Sequence, residues 1–192
     1  MINTVTNSML RMSRSPVNYW AEFALDIPFG VVLISEGLRL HKLNSSTAFL
    51  IILCGLFIFS YLEYSVHRWL FHGSIQILVQ GHRAHHDNPE GYDATPFFLP
   101  SIVIIGLLGV FILLMPVSAA FLLSGVIAFG YTIYGLSHFC IHHIRFHQTL
   151  VRNWAANHHI HHYHPESNFG VTTPLWDNLL GTRYIIPHHK KS

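Results

Sequence analysis

The sequence predicts an all-α protein: a multi-spanning membrane helical bundle of about four transmembrane helices, with a cytosol-facing helical cap carrying a histidine-rich dimetal site. Three observations lead there. Of the 192 residues, 51% are hydrophobic and only 10% are charged, whereas about a quarter of the residues in an ordinary soluble protein are charged. From Ala94 to Ser137 there is no Asp, Glu, Lys, Arg or His. The 17 histidines outnumber the 11 Lys and Arg, and most of them lie in short clusters at the ends of apolar runs.

Residues 1–20, MINTVTNSMLRMSRSPVNYW, read as a polar N-terminal segment with Arg11 and Arg14. The segment has no clean apolar core followed by a small-residue cleavage site, so it does not read as a signal peptide. Residues 21–192 then read as one membrane domain. In the stretch FALDIPFGVVLIS, Asp26 and Glu36 bracket a short apolar core. It reads either as a first span or as a helix lying in the interface. The uncharged run Asn44 to Leu62 fits one span. Ala94 to Ser137 is about twice the roughly 20 residues that a span needs, and Pro116 sits near its middle. A hairpin crossing twice and turning around MPVS is the simplest reading. Cys54 and Cys140 lie in apolar runs, form no CxxC and read as small buried hydrophobes.

Four spans place the N-terminus, residues 63–93 and the C-terminal tail on one side. Most arginines and the Lys190-Lys191 pair share that side, which the positive-inside rule makes the cytosolic one, with Lys42 the exception. If the first stretch does not span, the other two segments still share a face. The formal charge of +2 and the lack of a basic stripe with interleaved aromatics argue against a nucleic-acid partner.

Four histidine boxes follow a span or flank the hairpin: HRWLFH (67–72), HRAHH (82–86), HFCIHH (138–143) and HHIHH (158–162). On an α-helix each residue turns about 100°. His138 and His142 therefore share a face, at the spacing that lets two imidazoles reach one metal. In His82-His85-His86 and in His158-His161-His162 the second and third members flank the first on either side, which suits bridging two nearby metals. His67 and His72 lie about 140° apart on an ideal helix. Either the helix ends near Phe71–Gly73, or the two serve different metals. These ten imidazoles exceed what one ion takes and fit two. Neutral imidazole suits Zn, Cu, Fe or Ni. No Glu-x-x-His pattern of the soluble di-iron bundles is present.

Carboxylates must orient the free ring N–H groups, and Glu63, Asp87, Asp93 and Asp177 are the candidates. Asp177 stands out because it follows the last box in a segment that must fold back near it. Tyr163 and Asn168 read as further hydrogen-bonding partners. His41, His147, His164, His188 and His189 have no patterned partner, and His143 and His159 point off their ligand faces. The loop DNPEGYDATPFFLP reads as part of a substrate entrance or as a plain interfacial turn. Trp69, Phe97, Phe98 and Trp176 read as its lining or as an interfacial aromatic belt.

The order HxxxxH, HxxHH, HxxxH, HxxHH resembles the membrane fatty acid hydroxylase/sterol desaturase superfamily, most closely its fatty acid 2-hydroxylase branch. The residues that carry the likeness are EYSVHRWLFH, GHRAHHDNPEGYDATPFFLPS, HFCIHH and NHHIHHYHPESNFGVTTPLWDNLLGT, so it spans roughly residues 60–184. The last of these runs on into a Gly170–Thr173 and Trp176–Thr182 tail of the kind that family carries. The resemblance implies a multi-spanning catalytic core and a non-haem dimetal centre on the ten histidines named above. The metal would be iron, with zinc able to occupy the same shell. It also implies O2 as co-substrate and insertion of one oxygen into a C–H bond of a fatty acyl chain or related lipid. No His-Pro-Gly-Gly haem motif or Gly-rich nucleotide fingerprint is present. Electrons are therefore expected from a separate donor, such as a cytochrome b5-like protein or a ferredoxin. Other reactions of the same superfamily are the nearest alternatives: desaturation, sterol methyl oxidation or carotenoid hydroxylation. A histidine-rich metal carrier, and a zinc site that only holds the fold, are the non-enzymatic ones.

Overall fold

A computed structural model describes residues 2–40 and 43–186 of the chain. Lys42, Lys190, Lys191, His41, His188 and His189, which the sequence reading assigned to a side or set apart, lie outside the described residues. Among the described residues eight α-helices follow in order: α1 (Ile2–Ser13), α2 (Pro16–Leu40), α3 (Ser45–Ser65), α4 (Gln76–Asp87), α5 (Leu99–Leu114), α6 (Val117–His143), α7 (Thr149–Tyr163) and α8 (Leu175–Leu179). A π-helical turn, Val66–Phe71, continues α3. Among the described residues there is no strand, as expected of an all-α chain.

Among the described residues two helices are long and apolar enough to cross a membrane: α3 with its π turn, Ser45–Phe71, and α6, Val117–His143. At 1.5 Å per residue each is roughly 40 Å long, against a hydrocarbon core of about 30 Å. Asn44 caps α3, its side-chain oxygen accepting the Thr47 N–H at 2.7 Å. α5 is uncharged and shorter, at 16 residues. It starts with Pro100 in its first turn, where a missing N–H costs nothing. The link to α6 is Met115-Pro116, so the predicted hairpin turns where MPVS placed it. α2 runs 25 residues through Pro28, and the boundary read at residue 20 falls inside it.

The outer faces explain the composition. Phe49, Leu50 and Phe57 on α3 and Ile102, Val103 and Leu113 on α5 are exposed, Leu113 at 84%. Cys54 is exposed on α3, not buried as its apolar surroundings suggested. Such faces belong in hydrocarbon, because water would penalise every one of them. The chain is a membrane protein by this surface.

α6 is the central helix and is buried along most of its length. Lipid gives no hydrophobic drive for helix association, so close packing through small residues must supply it. At Gly37 of α2 a Cβ would lie 2.5 Å from the Leu122 backbone nitrogen of α6. At Gly130 a Cβ would lie 2.5 Å from the Phe59 ring of α3. Leu33, Phe59, Ile104, Leu123, Ile127 and Ala128 form the apolar core between these helices. Two carboxylates of α2, Glu22 and Asp26, face inward, while Glu36 pairs with Arg39 on the exposed side. Glu22 accepts from the Tyr131 hydroxyl, and Asp26 accepts from Ser101 Oγ at 2.9 Å. Ionisable groups within the bundle face protein, as their cost in lipid demands.

The connection between α4 and α5 is tied down. Asn18 donates to the Thr95 carbonyl at 2.8 Å and accepts the Phe97 N–H at 3.0 Å, while the Ala94 N–H reaches the Ser13 carbonyl at 2.9 Å. These bonds hold the DNPEGYDATPFFLP loop against the start of α2. Beyond the ends of α3 and α6, α4, α7 and the segment after α7 form a cap with its own small core of Ile141, Ala155 and Val171.

Candidate metal centre

All four boxes meet at the cap. Their ten histidines form two groups of five: His67, His72, His82, His86 and His161 in one, and His85, His138, His142, His158 and His162 in the other. Within each group the ring nitrogens lie within 4.8 Å of one another. One rule sorts them. His82 and His86, His158 and His162, and His138 and His142 are each four residues apart on a helix and share a group. His85 and His161, three residues from a partner, fall in the other group. α4 and α7 therefore each straddle both groups, as the diverging HxxHH triplets predict.

His67 and His72 share a group despite a spacing that opposes them on an α-helix. The π turn resolves this. Its wider i→i+5 bonding brings residues five apart onto one face, and the His72 N–H closes it on the His67 carbonyl at 3.2 Å. The sequence alternative in which the two served different metals is therefore not the one adopted.

The nitrogens sit where ligands of a metal ion would. In the first group His82 Nε2 lies 3.0 Å from Nε2 of each of His67, His72 and His86, and His72 Nε2 lies 3.1 Å from that of His161. In the second group the His158–His142, His162–His158 and His85–His162 Nε2 pairs are each 3.1 Å apart. One nitrogen carries at most one proton, so His82 Nε2 cannot hydrogen-bond to three neighbours. Two nitrogens bound at about 2.1 Å and at right angles stand about 3.0 Å apart, whereas a tetrahedral pair stands about 3.4 Å apart. The donor set thus fits one ion per group with more than four ligand positions, all from neutral imidazole. The groups abut, the His86 and His162 rings stacking at 4.3 Å.

Burial keeps these rings in their ligating form. Loss of water contact is the largest cause lowering His72 to about 4, His161 to about 3 and His162 to about 2, and the charges of neighbouring imidazoles add to it for all three. Burial likewise lowers His82, His85, His86 and His158.

Two rings are oriented by backbone carbonyls. His67 Nδ1–H donates to Phe169 O at 2.5 Å, and His161 Nδ1–H to Ser167 O at 2.7 Å. Asn168 lies between these acceptors with φ +54°, in the left-handed region that Asn tolerates better than most residues. Two buried carboxylates hold this loop. Asp177 accepts the Phe169 and Gly170 N–H groups, each at 2.8 Å, and the Thr182 hydroxyl at 2.7 Å. Glu63 accepts the Val171 N–H at 2.6 Å, the Thr172 N–H at 2.9 Å and the Thr172 hydroxyl.

Asp177 and Glu63 therefore act on the loop, one step behind the imidazoles they were expected to touch. Asn168 binds Asn157 O and the Tyr184 N–H instead of a ring. Tyr163 is 83% exposed on α7 and has no hydrogen bond to the ten rings, so its predicted role is not seen. Asp87 is exposed, and Asp93 faces Arg14 at 3.9 Å. The histidines set aside fall outside both groups: His143 stacks on Phe139 and His164 on Tyr184, His147 is exposed, and exposed His159 packs edge-on against the His142 ring at 5.6 Å. Sequence reasoning missed Ser167 and Phe169, because any residue supplies a carbonyl. The Ser-Asn-Phe-Gly turn just after the last box was the available signal. It also missed Tyr134, whose ring lies nearly parallel to His138 at 5.9 Å.

The sequence profile of the fatty acid hydroxylase family matches residues 52–182, a range that contains all ten histidines. The chain belongs to the fatty acid hydroxylase family. Among relatives in that family, the dihydroceramide fatty acyl 2-hydroxylase of Arabidopsis thaliana is 29% identical over 161 residues, covering 77% of this chain and 64% of the relative. The fatty acid 2-hydroxylase of Homo sapiens is 30% identical over 142 residues, covering 67% and 38% respectively. The chain thus spans less than two thirds of the length of these relatives. The solved hydroxylase domain of full-length scs7p superimposes with a TM-score of 0.77 at 25% identity, covering 95% of this chain and 71% of that one. The fold described above is therefore that of a fatty acid hydroxylase.

Proposed function

We propose that this protein is a membrane-bound non-haem dimetal lipid hydroxylase, inserting one oxygen of O2 into a C–H bond of a fatty acyl chain. The observation that carries the reading is the pair of five-imidazole groups at the ends of membrane-length helices, in a chain of the fatty acid hydroxylase family. The names of its relatives favour attack next to the acyl carbonyl. α2, α3, α5 and α6 are the four spans, and the cap lies on the cytosolic side, where the arginines collect.

The ten histidines named above hold two metal ions, iron in the working enzyme. When bound, these ions supply the oxidising power that an unactivated C–H bond demands and that side chains lack. The chain does the rest. Burial excludes water and keeps the imidazoles neutral. The loop of residues 167–172 fixes two ring tautomers, which sets ligand direction. Beside His72 an open surface depression is lined by Arg68, Trp69, Pro165, Glu166 and Phe169. Trp69, half exposed just past the end of α3, gives a chain leaving the bilayer an apolar entry to it. Each turnover consumes O2, two electrons and two protons, and releases water with the hydroxylated lipid. The electrons come from a separate carrier of the cytochrome b5 or ferredoxin kind.

Reconstitution with iron, a chemical reductant and bilayer lipids, followed by lipid mass spectrometry, tests the reading. A gain of one oxygen per acyl chain is expected. Loss of two hydrogens would replace hydroxylation by desaturation, and tightly held metal with no O2 consumption would favour a carrier.

A further inference from the structure

The two imidazole groups differ in what lies behind them. A neutral imidazole has one proton, so a ring that ligates through Nε2 must carry it on Nδ1. In the first group two rings have that proton placed: His67 donates to Phe169 O and His161 to Ser167 O. Both acceptors belong to the loop that Glu63 and Asp177 hold. In the second group none of the five rings has such an acceptor among the described residues. Nδ1 of His158 and Nδ1 of His162 are moreover buried without a hydrogen-bond partner.

That difference acts on metal entry. A buried N–H with no acceptor is costly, so His158 and His162 favour the proton on Nε2. There a neighbouring ring nitrogen 3.1 Å away accepts it, that of His142 for His158 and that of His85 for His162. An ion entering the second group must push those protons onto the unpartnered Nδ1 positions. An ion entering the first group meets His67 and His161 already in the ligating tautomer. Outer hydrogen-bond partners of metal ligands are worth on the order of 10–100-fold in affinity.

We infer that the two metal positions are unequal: the His67, His72, His82, His86, His161 group fills first, and the His85, His138, His142, His158, His162 group holds its ion at least about tenfold more weakly. This rests on the dimetal reading above. It makes Asp177 and Glu63 positioning residues for one ion and not for the other.

The test is a Co2+ titration of the metal-free full chain in detergent, against a competing chelator, read by visible absorption and by bound metal per chain. Two steps separated by tenfold or more in free Co2+ are expected. Repulsion between the ions also gives two steps, so variants must read the order. His161→Ala should abolish the tight step, and His162→Ala the weak one. His72→Ala and His142→Ala should give the same two results from other helices, should either of the first pair misfold. Asp177→Asn keeps all ten imidazoles and should weaken the tight step alone, about tenfold. A single step binding two ions overturns the inference. So does a tight step that survives His161→Ala and His72→Ala but disappears in His162→Ala and His142→Ala. Fewer than two ions bound at any Co2+ concentration overturns the dimetal reading itself.

Discussion

Asp177 and His67 are joined through one residue: Asp177 accepts the Phe169 N–H at 2.8 Å, and the Phe169 carbonyl accepts the His67 Nδ1–H at 2.5 Å. The carboxylate steers the imidazole without touching it. Removing it strands two backbone N–H groups in the cap interior, since Gly170 N–H has the same acceptor. Each buried donor left unpaired costs about 1–3 kcal/mol. Asp177→Ala is expected to lower the thermal unfolding midpoint of the detergent-solubilised protein by roughly 10 °C. An unchanged midpoint would show that the loop is held by something else.

His85 and His161 lie in different groups, and each is a ligand in the proposed centre. If product formation needs both ions, His85→Ala and His161→Ala should each cut hydroxylated lipid at least about a thousandfold, since the ligands act as one unit. Both variants should still insert, because neither residue lies in the core between the membrane helices. Lipid mass spectrometry and membrane fractionation of the two variants check this together. Turnover near wild type in either one removes that group from the chemistry.

The pH dependence follows from the same burial. His72, His161 and His162 fall to about 4, 3 and 2 in the folded chain, from an ordinary value of 6.5. A depressed imidazole stabilises the fold fully above 6.5. Below that the unfolded chain takes up protons that the folded chain refuses, and stability declines until the folded values are reached. The unfolding midpoint of the metal-free protein should be flat from pH 7 to 8 and fall steadily as pH drops below about 6.5. A midpoint that holds to pH 5 would mean the cap is wetter than its burial indicates.

How far the sequence could be read depends on the residue in question. The groupings of His82 with His86, His138 with His142 and His158 with His162 follow from helical periodicity, and so does the separation of His85 from His82 and of His161 from His158; which face of α4 meets which face of α7 does not. His67 and His72 could not be settled that way. Their agreement needs a π turn, which no residue in VHRWLF announces. The hairpin at Met115-Pro116 was legible from an uncharged run of double length. The helix over Ile2–Ser13 was harder to see: Ile2, Val5, Met9 and Met12 recur at helical spacing, but the polar residues between them hide the stripe. Asp177 was found by position but misjudged in reach, because the intervening Phe169 carbonyl belongs to the backbone.

The packing of α2 on α6 gives the last prediction. α2 carries buried carboxylates, and its backbone also makes close contact with α6. At Gly37 an added Cβ would lie 2.5 Å from Leu122 N and 2.7 Å from its Cα, so the obstacle is main chain that cannot rotate away. At Gly106 of α5 an added Cβ meets nothing within 4 Å. Gly37→Ala should push α2 off α6 and cost about 1–3 kcal/mol, the range for overpacking. Gly106→Ala should be neutral or gain up to about 1 kcal/mol, because alanine loses less backbone freedom in a helix. Unfolding midpoints of the two variants in one detergent decide the matter. Equal shifts would mean that α2 does not rest on α6 through backbone contact. The Glu22–Tyr131 and Asp26–Ser101 bonds would then have to hold it there.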